Sequence, residues 1–325
     1  MKNKIFITGA TGFIGSHLCE MGVKKGYKIV GFDRYNSNND LGWLKKSKYL
    51  NKMEIILGDI RDYDSVYKSM KGCNIIFHLA ALIGIPYSYI SPLAYVKTNV
   101  EGTYNVLEAA KNLSSKKVII TSTSEVYGSS KYFPMDEEHP LNAQSPYAAS
   151  KTAADQLSLS YFKSFKLPVT IIRPFNTYGP RQSERAVVPR IITQCLFQKN
   201  KNLILGSLKP TRDFNYVSDV CEAYFYIIKN KKTEGQVINV GSKTNISIKN
   251  LAKKIIKMTN SKIKIKQNVK IFRPSLSEVQ NLKCNNNKLR KYTNWRQSVD
   301  LNTGLKKTIQ WINDNKSKYF IKYKV

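Results

Sequence analysis

A strand, a glycine turn and a helix follow one another near the start of the chain, in Lys4-Ile5-Phe6-Ile7-Thr8-Gly9-Ala10-Thr11-Gly12-Phe13-Ile14-Gly15. The apolar residues 4–8 predict a short buried strand, and residues 13 to about 25 predict a helix that Gly26 ends. Glycines at this junction allow a tight turn, a close approach of backbone to a pyrophosphate, and close packing of helix on strand. The spacing is GxxGxxG rather than GxGxxG, and its position between strand and helix indicates a dinucleotide-binding site.

An acidic residue ends the second predicted strand. This strand covers residues 27–32, and Asp33 follows it. A carboxylate at this point can accept hydrogen bonds from an adenosine ribose and would repel a 2′-phosphate, which favours NAD over NADP. The neighbouring Arg34 favours NADP instead, since an arginine can accommodate the 2′-phosphate. The alternative for Asp33 is a turn residue before residues 36–39.

Strands alternate with helices through the first half of the chain. Further strands are predicted at residues 53–57, 74–78 and 117–121, and a long helix at residues 92–111. This alternation predicts an α/β fold with a doubly wound parallel sheet. In such a sheet, ligands bind beyond the carboxyl ends of the strands.

The fifth predicted strand runs into an unusual polar stretch, Thr121-Ser122-Thr123-Ser124-Glu125-Val126-Tyr127-Gly128. Hydroxyls and a carboxylate rarely cluster beside a buried strand without a polar partner or a ligand. Thr123, Ser124 and Glu125 are therefore candidate catalytic residues. The alternative is a polar loop that caps the next helix.

A tyrosine and a lysine lie four residues apart at the start of the next predicted helix. Ser145 is the predicted N-cap and Pro146 the first helical residue, so Tyr147 and Lys151 share one helical face. A phenol with a pKa of about 10 is a poor base at neutral pH, but an adjacent Lys⁺ together with a cationic nicotinamide lowers that pKa. The pair can then remove a proton from a sugar or alcohol hydroxyl. Such a pair on its own is commonly only a surface feature.

The composition is that of a globular protein with a strong positive charge. Of the 325 residues 42% are hydrophobic, and 53 Lys and Arg against 22 Asp and Glu give a net charge of +31. One hypothesis is binding to nucleic acid or to an anionic membrane. The alternative is a Lys-rich composition with its charges spread over solvated faces. The lysines are scattered without a dense block, which favours this alternative and predicts no nucleic-acid partner, although an anionic substrate would be attracted.

Cysteine and histidine positions argue against disulfides and metal sites. The five cysteines are far apart without a CxxC pair, and the three histidines are dispersed. No apolar run approaches about 18 residues, so no membrane span is predicted. The apolar run after the basic residues 1–4 is too short for a signal peptide. We expect a cytoplasmic protein whose basic aromatic end, residues 316–325, is frayed.

These motifs together resemble the extended short-chain dehydrogenase/reductases, within them the nucleotide-sugar epimerase, dehydratase and decarboxylase group. The matching positions are Gly9, Gly12, Gly15, Asp33, Asp59, Ile60, Leu79, Ala80, Ala81, Asn99, Thr123, Tyr147 and Lys151. The resemblance implies that all of these except Thr123 contact NAD, together with Thr11, Phe13 and Ile14 of the glycine turn. It further implies a Rossmann domain over residues 1–175 and a smaller, interleaved α/β lobe over residues 176–325, from which some segments return to the Rossmann core. A homodimer through helices 94–111 and 147–165 is also implied.

Three residues of the second half resemble the family's substrate contacts. Asn176 follows an Arg-Pro-Phe sequence, Arg212 begins an Arg-Asp-Phe segment, and Arg273 precedes a proline. The resemblance implies that Asn176 lies by the phosphates of a nucleotide-diphosphate sugar and that both arginines pair with its diphosphate, to which arginine is well suited. Without the resemblance, each arginine would be assigned to a surface salt bridge.

The resemblance also implies a common first step. Tyr147 removes the proton of the sugar 4-hydroxyl, Thr123 holds that hydroxyl, and the C4 hydride passes to NAD. Glu125 is then expected to remove the C5 proton before water leaves from C6. Dehydratases for dTDP-glucose carry Thr-Asp-Glu where this chain has Thr123-Ser124-Glu125. This departure leaves open whether Glu125 or Ser124 delivers the proton to the leaving hydroxyl.

Several stretches resemble the N-acetylglucosamine 4,6-dehydratases of legionaminic-acid pathways, and this similarity runs over nearly the whole chain. They include residues 35–37, 82–88 and 176–183. The resemblance implies a UDP- or GDP-N-acetylglucosamine substrate and a 6-deoxy-4-keto product used for surface glycans.

Other activities remain as alternatives. A UDP-glucuronate decarboxylase and a nucleotide-sugar 4-epimerase share the first step, although decarboxylases usually carry Tyr-Asp-Glu-Gly-Lys where this chain has Tyr-Ala-Ala-Ser-Lys at residues 147–151. A redox sensor or binding module on the same scaffold is a further alternative. Such proteins tend to lose the active Tyr or Lys, and here Tyr147 and Lys151 are both present.

Overall fold

Seven parallel strands form the central sheet of the computed structural model, which describes residues 3–198 and 202–319. Within these residues the strands are β1 (Lys4–Thr8), β2 (Lys28–Arg34), β3 (Met53–Gly58), β4 (Ile75–His78), β5 (Lys117–Thr121), β6 (Val169–Pro174), β7 (Asn176–Tyr178), β8 (Asn202–Leu205), β9 (Thr211–Arg212), β10 (Phe214–Tyr216), β11 (Val237–Val240), β12 (Ile246–Ser247) and β13 (Lys264–Gln267). The sheet has the order β11-β6-β5-β4-β1-β2-β3. The predicted doubly wound α/β fold is confirmed.

Helices cover both faces of this sheet and build the second lobe. In the described residues they are α1 (Phe13–Lys24), α2 (Tyr63–Met70), α3 (Ile85–Ile90), α4 (Pro92–Tyr95), α5 (Gly102–Asn112), α6 (Pro146–Phe165), α7 (Val187–Phe197), α8 (Val217–Ile227), α9 (Ile248–Met258), α10 (Asn287–Thr293) and α11 (Leu301–Asp314). A π-helical turn, Val96–Glu101, joins α4 to α5. The long helix predicted at residues 92–111 is therefore present, with this turn inside it.

Alternate residues of the central strands enter two separate cores, which explains why these strands are apolar throughout. In β5, Ile119 belongs to the core beneath α1 and α8, whereas Val118 and Ile120 belong to the core beneath α2, α5 and α6. All three side chains are fully buried. The sheet is thus a rigid layer on which the loops at its carboxyl edge are mounted.

The order of the strands brings three sequence motifs to one edge of the sheet. Strand β1 lies between β2 and β4, and β4 lies next to β5. Thr8 is opposite His78, and His78 is opposite Ile120. The glycine turn after β1, residues 79–81 after β4 and the polar run after β5 therefore lie side by side. This is the point at which the order of strands reverses, where open α/β sheets bind ligands.

The second lobe has its own core, and the chain returns from it to the central sheet. Helices α7, α9 and α11 bury an apolar cluster that includes Ile191, Leu251 and Leu305. Strand β11 pairs with β6 at the edge of the central sheet, and α8 packs in the core that contains α1. The lobe boundary near residue 175 stays a prediction.

Two local predictions differ from the structure. Asp33 lies inside β2, which extends to Arg34, because β3 continues to pair with β2 up to Gly58. The expectation of a frayed end is wrong for Tyr319, which is buried and packs on Trp43 with ring centroids 6.3 Å apart. Residues 320–325 of the predicted tail lie outside the described residues. In the described part of the chain, no helix is long and apolar enough to cross a membrane.

Candidate active site

The glycine turn brings the start of α1 into close contact with the end of β1. Gly9 has a φ of +69°, which glycine adopts without strain, and its N–H donates to Phe32 O at 2.8 Å. A Cβ on Gly15 would lie 2.0 Å from Gly9 O, so no larger residue fits there. Gly12 precedes the first helical residue of α1. Because the first N–H groups of a helix lack partners within the helix, this turn forms a cradle suited to a phosphate group.

Asp33 is held beside the glycine turn. Its Oδ2 accepts hydrogen bonds from the N–H and the hydroxyl of Thr11, both at 2.7 Å, and its Oδ1 accepts from Arg34 N at 2.8 Å. The carboxylate thus lies half-buried at the edge of the crevice. This is the position expected for a ribose contact, and that contact stays a prediction.

A cavity lies beside the end of β3. It has a volume of about 310 Å³ and is lined by Asp59, Arg61, Asp62, Lys97 and Glu101. Arg61 Nε donates to Asp59 Oδ1 at 2.9 Å, and this hydrogen bond lowers the pKa of Asp59. The neighbouring Ile60 is buried. The predicted cofactor residue Asp59 therefore lines a surface cavity, whereas Ile60 is buried beside it.

A buried histidine fixes the loop after β4. The hydroxyl of Thr8 accepts from the N–H groups of Leu79 and Ala80, both at 3.0 Å, so its own proton is directed to His78 Nδ1 at 2.8 Å. His78 Nε2 lies 3.1 Å from the Thr103 hydroxyl. Burial lowers the pKa of His78 to about 3. A neutral His78 therefore ties β1, this loop and α5 together.

The buried His78 predicts a loss of stability in acid. Since the unfolded state binds a proton below a pH of about 6.5 and the folded state only near 3, the free energy of unfolding falls as pH drops between these values. We expect His78 to account for a loss of about 2 kcal/mol between pH 7 and pH 5. Denaturant unfolding of wild type and His78→Gln at both pH values measures this loss. An equally steep pH dependence in the variant would show that His78 is not its source.

Asn99 connects the same loop to α6. Its Oδ1 accepts from Leu82 N at 2.8 Å, and its Nδ2 donates to Leu82 O at 3.0 Å and to Ser150 Oγ at 2.9 Å. Ser150 in turn donates to Tyr147 O at 2.8 Å. Asn99 is fully buried, and these bonds make it a support for the loop and for α6. A cofactor contact by Asn99 stays a prediction.

The polar run after β5 faces the start of α6. Thr123 caps a 3-10 turn, Ser124–Tyr127, by accepting from Glu125 N at 3.2 Å, and its hydroxyl lies close enough to the phenol of Tyr147 to oppose the rise in the pKa of that phenol. Ser124 is buried and Glu125 half-buried. The run therefore caps a short 3-10 turn and not α6, which Ser145 caps, and a catalytic role for Thr123, Ser124 and Glu125 stays a prediction.

Tyr147 and Lys151 are both buried on one face of α6. Ser145 caps this helix by accepting from Ala148 N at 3.1 Å, and Pro146 is its first residue, as predicted. The exposed fractions of the Tyr147 and Lys151 side chains are 8% and 3%. A pair on an ordinary surface would be solvated, so the surface alternative for this pair is wrong.

Burial dominates the protonation of this pair. It raises the pKa of Tyr147, an effect that the hydrogen bond to Thr123 opposes and the charge of Glu125 reinforces. Burial also lowers the pKa of Lys151 to about 8. The expected lowering of the Tyr147 pKa is therefore absent in the protein alone. The cost of removing a phenolate from water outweighs the stabilisation that Thr123 offers.

A buried ion pair that was not predicted from the sequence supports the candidate catalytic residues. Asp155, one turn after Lys151, accepts from Arg173 Nε at 3.0 Å and from Ser122 Oγ at 2.8 Å. The Arg173 guanidinium lies over the Tyr127 ring, 4.8 Å from its centroid. The charge of Asp155 raises the pKa of Lys151. The spacing of four residues from Lys151 is the sequence signal that could have identified Asp155.

Removing the charge of Asp155 should destabilise the fold. Asp155→Asn leaves Arg173 buried without a counter-charge, so we expect the free energy of unfolding to fall by about 3–5 kcal/mol. The exposed pair of Lys4 and Glu54 is the control, since Glu54→Gln should cost no more than about 1 kcal/mol. Chemical denaturation measures both changes. Equal losses in the two variants would contradict this account.

The three predicted substrate residues come from β7, β9 and a loop of the second lobe. Asn176 has a buried side-chain oxygen without a hydrogen-bond partner among the described residues. Arg212 Nη2 donates to Glu278 Oε1 at 3.0 Å, and Arg273 Nη1 lies 3.7 Å from the same oxygen. Burial lowers the pKa of Arg212, and the charge of Glu125 raises it. The structure therefore brings both arginines together and links Arg212 electrostatically to the polar run.

Comparison with known proteins identifies the family. The sequence profile of the GDP-mannose 4,6-dehydratase family matches residues 6–308. The chain belongs to this family. Its members are NAD-dependent enzymes of nucleotide-sugar metabolism. Membership in the extended short-chain dehydrogenase/reductases and the Rossmann-type fold are both confirmed.

Relatives in and around the GDP-mannose 4,6-dehydratase family catalyse different reactions. UDP-N-acetyl-α-D-glucosaminuronate decarboxylase of Bacillus cytotoxicus is 37% identical over 328 residues, which cover 97% of this chain and 99% of the relative. Human dTDP-D-glucose 4,6-dehydratase is 32% identical over 320 residues, and the match covers 96% of this chain and 90% of the relative. The crystal structure of dTDP-glucose 4,6-dehydratase from Bacillus anthracis in complex with NAD is 28% identical, has a TM-score of 0.85 and covers 98% of each chain. Family membership therefore does not decide which of these reactions this chain catalyses.

Proposed function

We propose that this chain is a nucleotide-sugar 4,6-dehydratase that uses NAD and converts UDP- or GDP-N-acetylglucosamine into the 6-deoxy-4-keto sugar. The observation that carries this proposal is the position of Glu125. Its charge raises the pKa of Tyr147 on one side and that of Arg212 on the other. Glu125 thus lies close enough to act electrostatically on both the candidate base and a candidate diphosphate contact, as a group that reacts with the attached sugar would have to.

The crevice at the sheet edge fits a dinucleotide. The cradle formed by Gly9, Gly12 and Gly15 suits the pyrophosphate, and Asp33 suits a ribose without a 2′-phosphate. The cavity beside Asp59 suits the adenine. NAD, when bound, accepts a hydride from C4 of the sugar and supplies it again to C6, so the net reaction is loss of water.

Three polar side chains of the second lobe support a nucleotide-diphosphate sugar as the substrate. Arg212 and Arg273 offer charge-assisted hydrogen bonds to a diphosphate. Asn176 has a buried amide oxygen without a partner among the described residues, a pattern that indicates a missing ligand. The similarity to a decarboxylase of an N-acetylated UDP-sugar supports the N-acetylated class of substrate.

Each catalytic side chain has a defined role in this proposal. Thr123 holds the sugar 4-hydroxyl, and Tyr147 removes its proton while Lys151 favours the phenolate. The C4 ketone acidifies the C5 proton, which Glu125 removes. That proton then reaches the C6 hydroxyl from Glu125 directly or through Ser124, and the hydroxyl leaves as water. When hydride is returned to C6, Tyr147 donates the proton that it took from the 4-hydroxyl to C5.

A panel of substrates tests the proposal. We would incubate the enzyme and NAD with UDP-N-acetylglucosamine, GDP-N-acetylglucosamine, UDP-glucuronate and UDP-N-acetylglucosaminuronate and measure product masses. Loss of one water from an N-acetylglucosamine substrate is the expected result. Release of carbon dioxide, or a product of unchanged mass, would contradict the proposal.

A decarboxylase is the second candidate function. It is favoured by the 37% identity to UDP-N-acetyl-α-D-glucosaminuronate decarboxylase over nearly the full length of both chains. The sequence at residues 147–151 argues against it, since decarboxylases usually carry Asp-Glu-Gly between the tyrosine and the lysine. The uronate substrates in the panel separate the two candidates directly.

We also propose a homodimer through α4, α5 and α6. These helices, with the π-helical turn that joins α4 to α5, expose the apolar side chains of Leu93, Val96, Tyr104 and Phe165. Light scattering should give about twice the chain mass of 37.1 kDa. Leu93→Glu should lower that mass to one chain, whereas Val269→Glu, on a different exposed segment, should leave it unchanged. A wild-type mass of one chain would contradict the dimer.

The cysteines support a reducing, cytoplasmic location. All five are free thiols, and Cys19, Cys73, Cys221 and Cys284 are buried. Free buried thiols are typical of proteins from reducing compartments. Detection of the protein in the cytoplasmic fraction would test this assignment.

A further inference from the structure

A carboxylate that the sequence did not single out lies between the two candidate diphosphate arginines. Glu278 Oε1 accepts from Arg212 Nη2 at 3.0 Å and lies 3.7 Å from Arg273 Nη1. The side chains of Glu278 and Arg212 are 15% and 7% exposed. One largely buried oxygen therefore faces both guanidinium groups.

The backbone on both sides of Glu278 is fixed. Residues 280–282 run alongside β9, because Thr211 N donates to Gln280 O at 2.9 Å and Leu282 N donates to Thr211 O at 3.1 Å. Glu278 N donates to Pro274 O at 3.1 Å, which closes the turn that follows Arg273. Glu278 thus belongs to a segment that is attached to the strand of one arginine and to the turn of the other.

The contacts orient the two guanidinium groups differently. Arg212 Nη1 donates to Thr211 O at 2.9 Å, and its Nη2 donates to Glu278, so acceptors on two nitrogens fix its plane. Arg273 Nη1 is buried and has no hydrogen-bond partner among the described residues. Arg273 is therefore drawn toward Glu278 by charge while it keeps a donor available for a ligand.

Charge explains why a carboxylate is needed here. The charge of Arg273 lowers the pKa of Arg212, which shows that the two cations repel each other, and the charge of Glu278 acts in the opposite direction. In a buried site such repulsion is only weakly screened. Glu278 offsets it and allows both cations to stay close before an anion arrives.

We propose that Glu278 is a positioning residue that holds Arg212 and Arg273 as a preorganised pair for the diphosphate of the substrate. This inference rests on the proposed function, because the diphosphate belongs to the proposed substrate. Preorganisation increases affinity by reducing the ordering cost on binding. The contribution of Glu278 should therefore appear in binding rather than in the chemical step.

Binding of free nucleoside diphosphates by calorimetry tests the inference without requiring turnover. We would titrate UDP, GDP and dTDP into wild type, Glu278→Ala and Glu278→Gln, with Glu54→Ala as the control on an exposed part of β3. We expect Kd for the preferred nucleotide to rise about tenfold or more in Glu278→Ala. The rise should be smaller in Glu278→Gln, which keeps an acceptor for Arg212. KM for the sugar substrate should rise with it, while kcat and the affinity for NAD stay close to wild type.

The outcomes separate this inference from the proposed function. An unchanged or lower Kd in both Glu278 variants, or a fall in kcat at unchanged KM, would overturn the positioning role alone. If wild type bound none of the three nucleotides, the proposed substrate class would fail and the inference with it. Because Glu278→Gln preserves the shape of the side chain, it keeps the test valid if Glu278→Ala does not fold.

Discussion

Tyr147→Phe is expected to slow oxidation of the sugar by about 10²–10⁴-fold, the range typical of a general base. The variant keeps the ring, which packs edge-on against Tyr95 with centroids 6.2 Å apart, and removes only the hydroxyl near Thr123. Substrate binding should change little, since the proposed diphosphate contacts are Arg212 and Arg273. Stopped-flow absorbance of the reduced cofactor measures the oxidation step.

Tyr161→Phe is the matched control for this variant. Tyr161 lies on the same helix, and its phenol donates to Glu108 Oε2 at 2.8 Å, away from the polar run. The change should cost about 1 kcal/mol of stability and leave the oxidation rate unchanged. Comparable rates in Tyr147→Phe and wild type would remove Tyr147 from the mechanism.

Glu125→Gln is expected to separate oxidation from water loss. Tyr147 and Thr123 are intact in this variant, so the reduced cofactor should still form. Elimination across C5 and C6 should slow by about 10²–10⁴-fold, because the amide cannot take the C5 proton. Rapid mixing followed by mass analysis should show the reduced cofactor appearing without the dehydrated product.

An isotope experiment and a control complete this test. Turnover by wild type in D2O should place deuterium at C5, since the proposed mechanism exchanges that proton. Glu138→Gln, on an exposed loop, should dehydrate the substrate at the wild-type rate. Full dehydration by Glu125→Gln, or a product without deuterium at C5, would refute the role of Glu125.

The sequence predicted local structure well wherever a short-range rule applied. Strand β5 has the predicted bounds, and Ser145 caps α6 as expected. The predictions were wrong where a contact with a residue distant in the sequence decided the local structure. Strand β2 continues through Asp33 because β3 pairs with it, and Tyr319 is buried because Trp43 covers it.

Only part of the candidate site could be predicted from the sequence. Tyr147 and Lys151 were found by helical spacing and Thr123 by its position after a strand. Asp155 was missed although it follows the same spacing, because a lone carboxylate on a helix is usually solvated. Glu278 carries no local signal, since its role depends on two arginines that are 66 and 5 positions away in the chain.

By itself, the sequence determined the fold class, the glycine cradle and the side chains available for chemistry. Apolar strands, glycine turns and helix caps act over a few residues, so they can be recognised without knowing what lies opposite. Only the tertiary structure decided which charges face one another. It placed Glu125 near enough to Tyr147 and Arg212 to act on both, paired Asp155 with Arg173, and put Glu278 between two arginines. Electrostatic interactions act through space in a medium of low dielectric constant, and their strength depends on distances and burial that the order of residues does not specify.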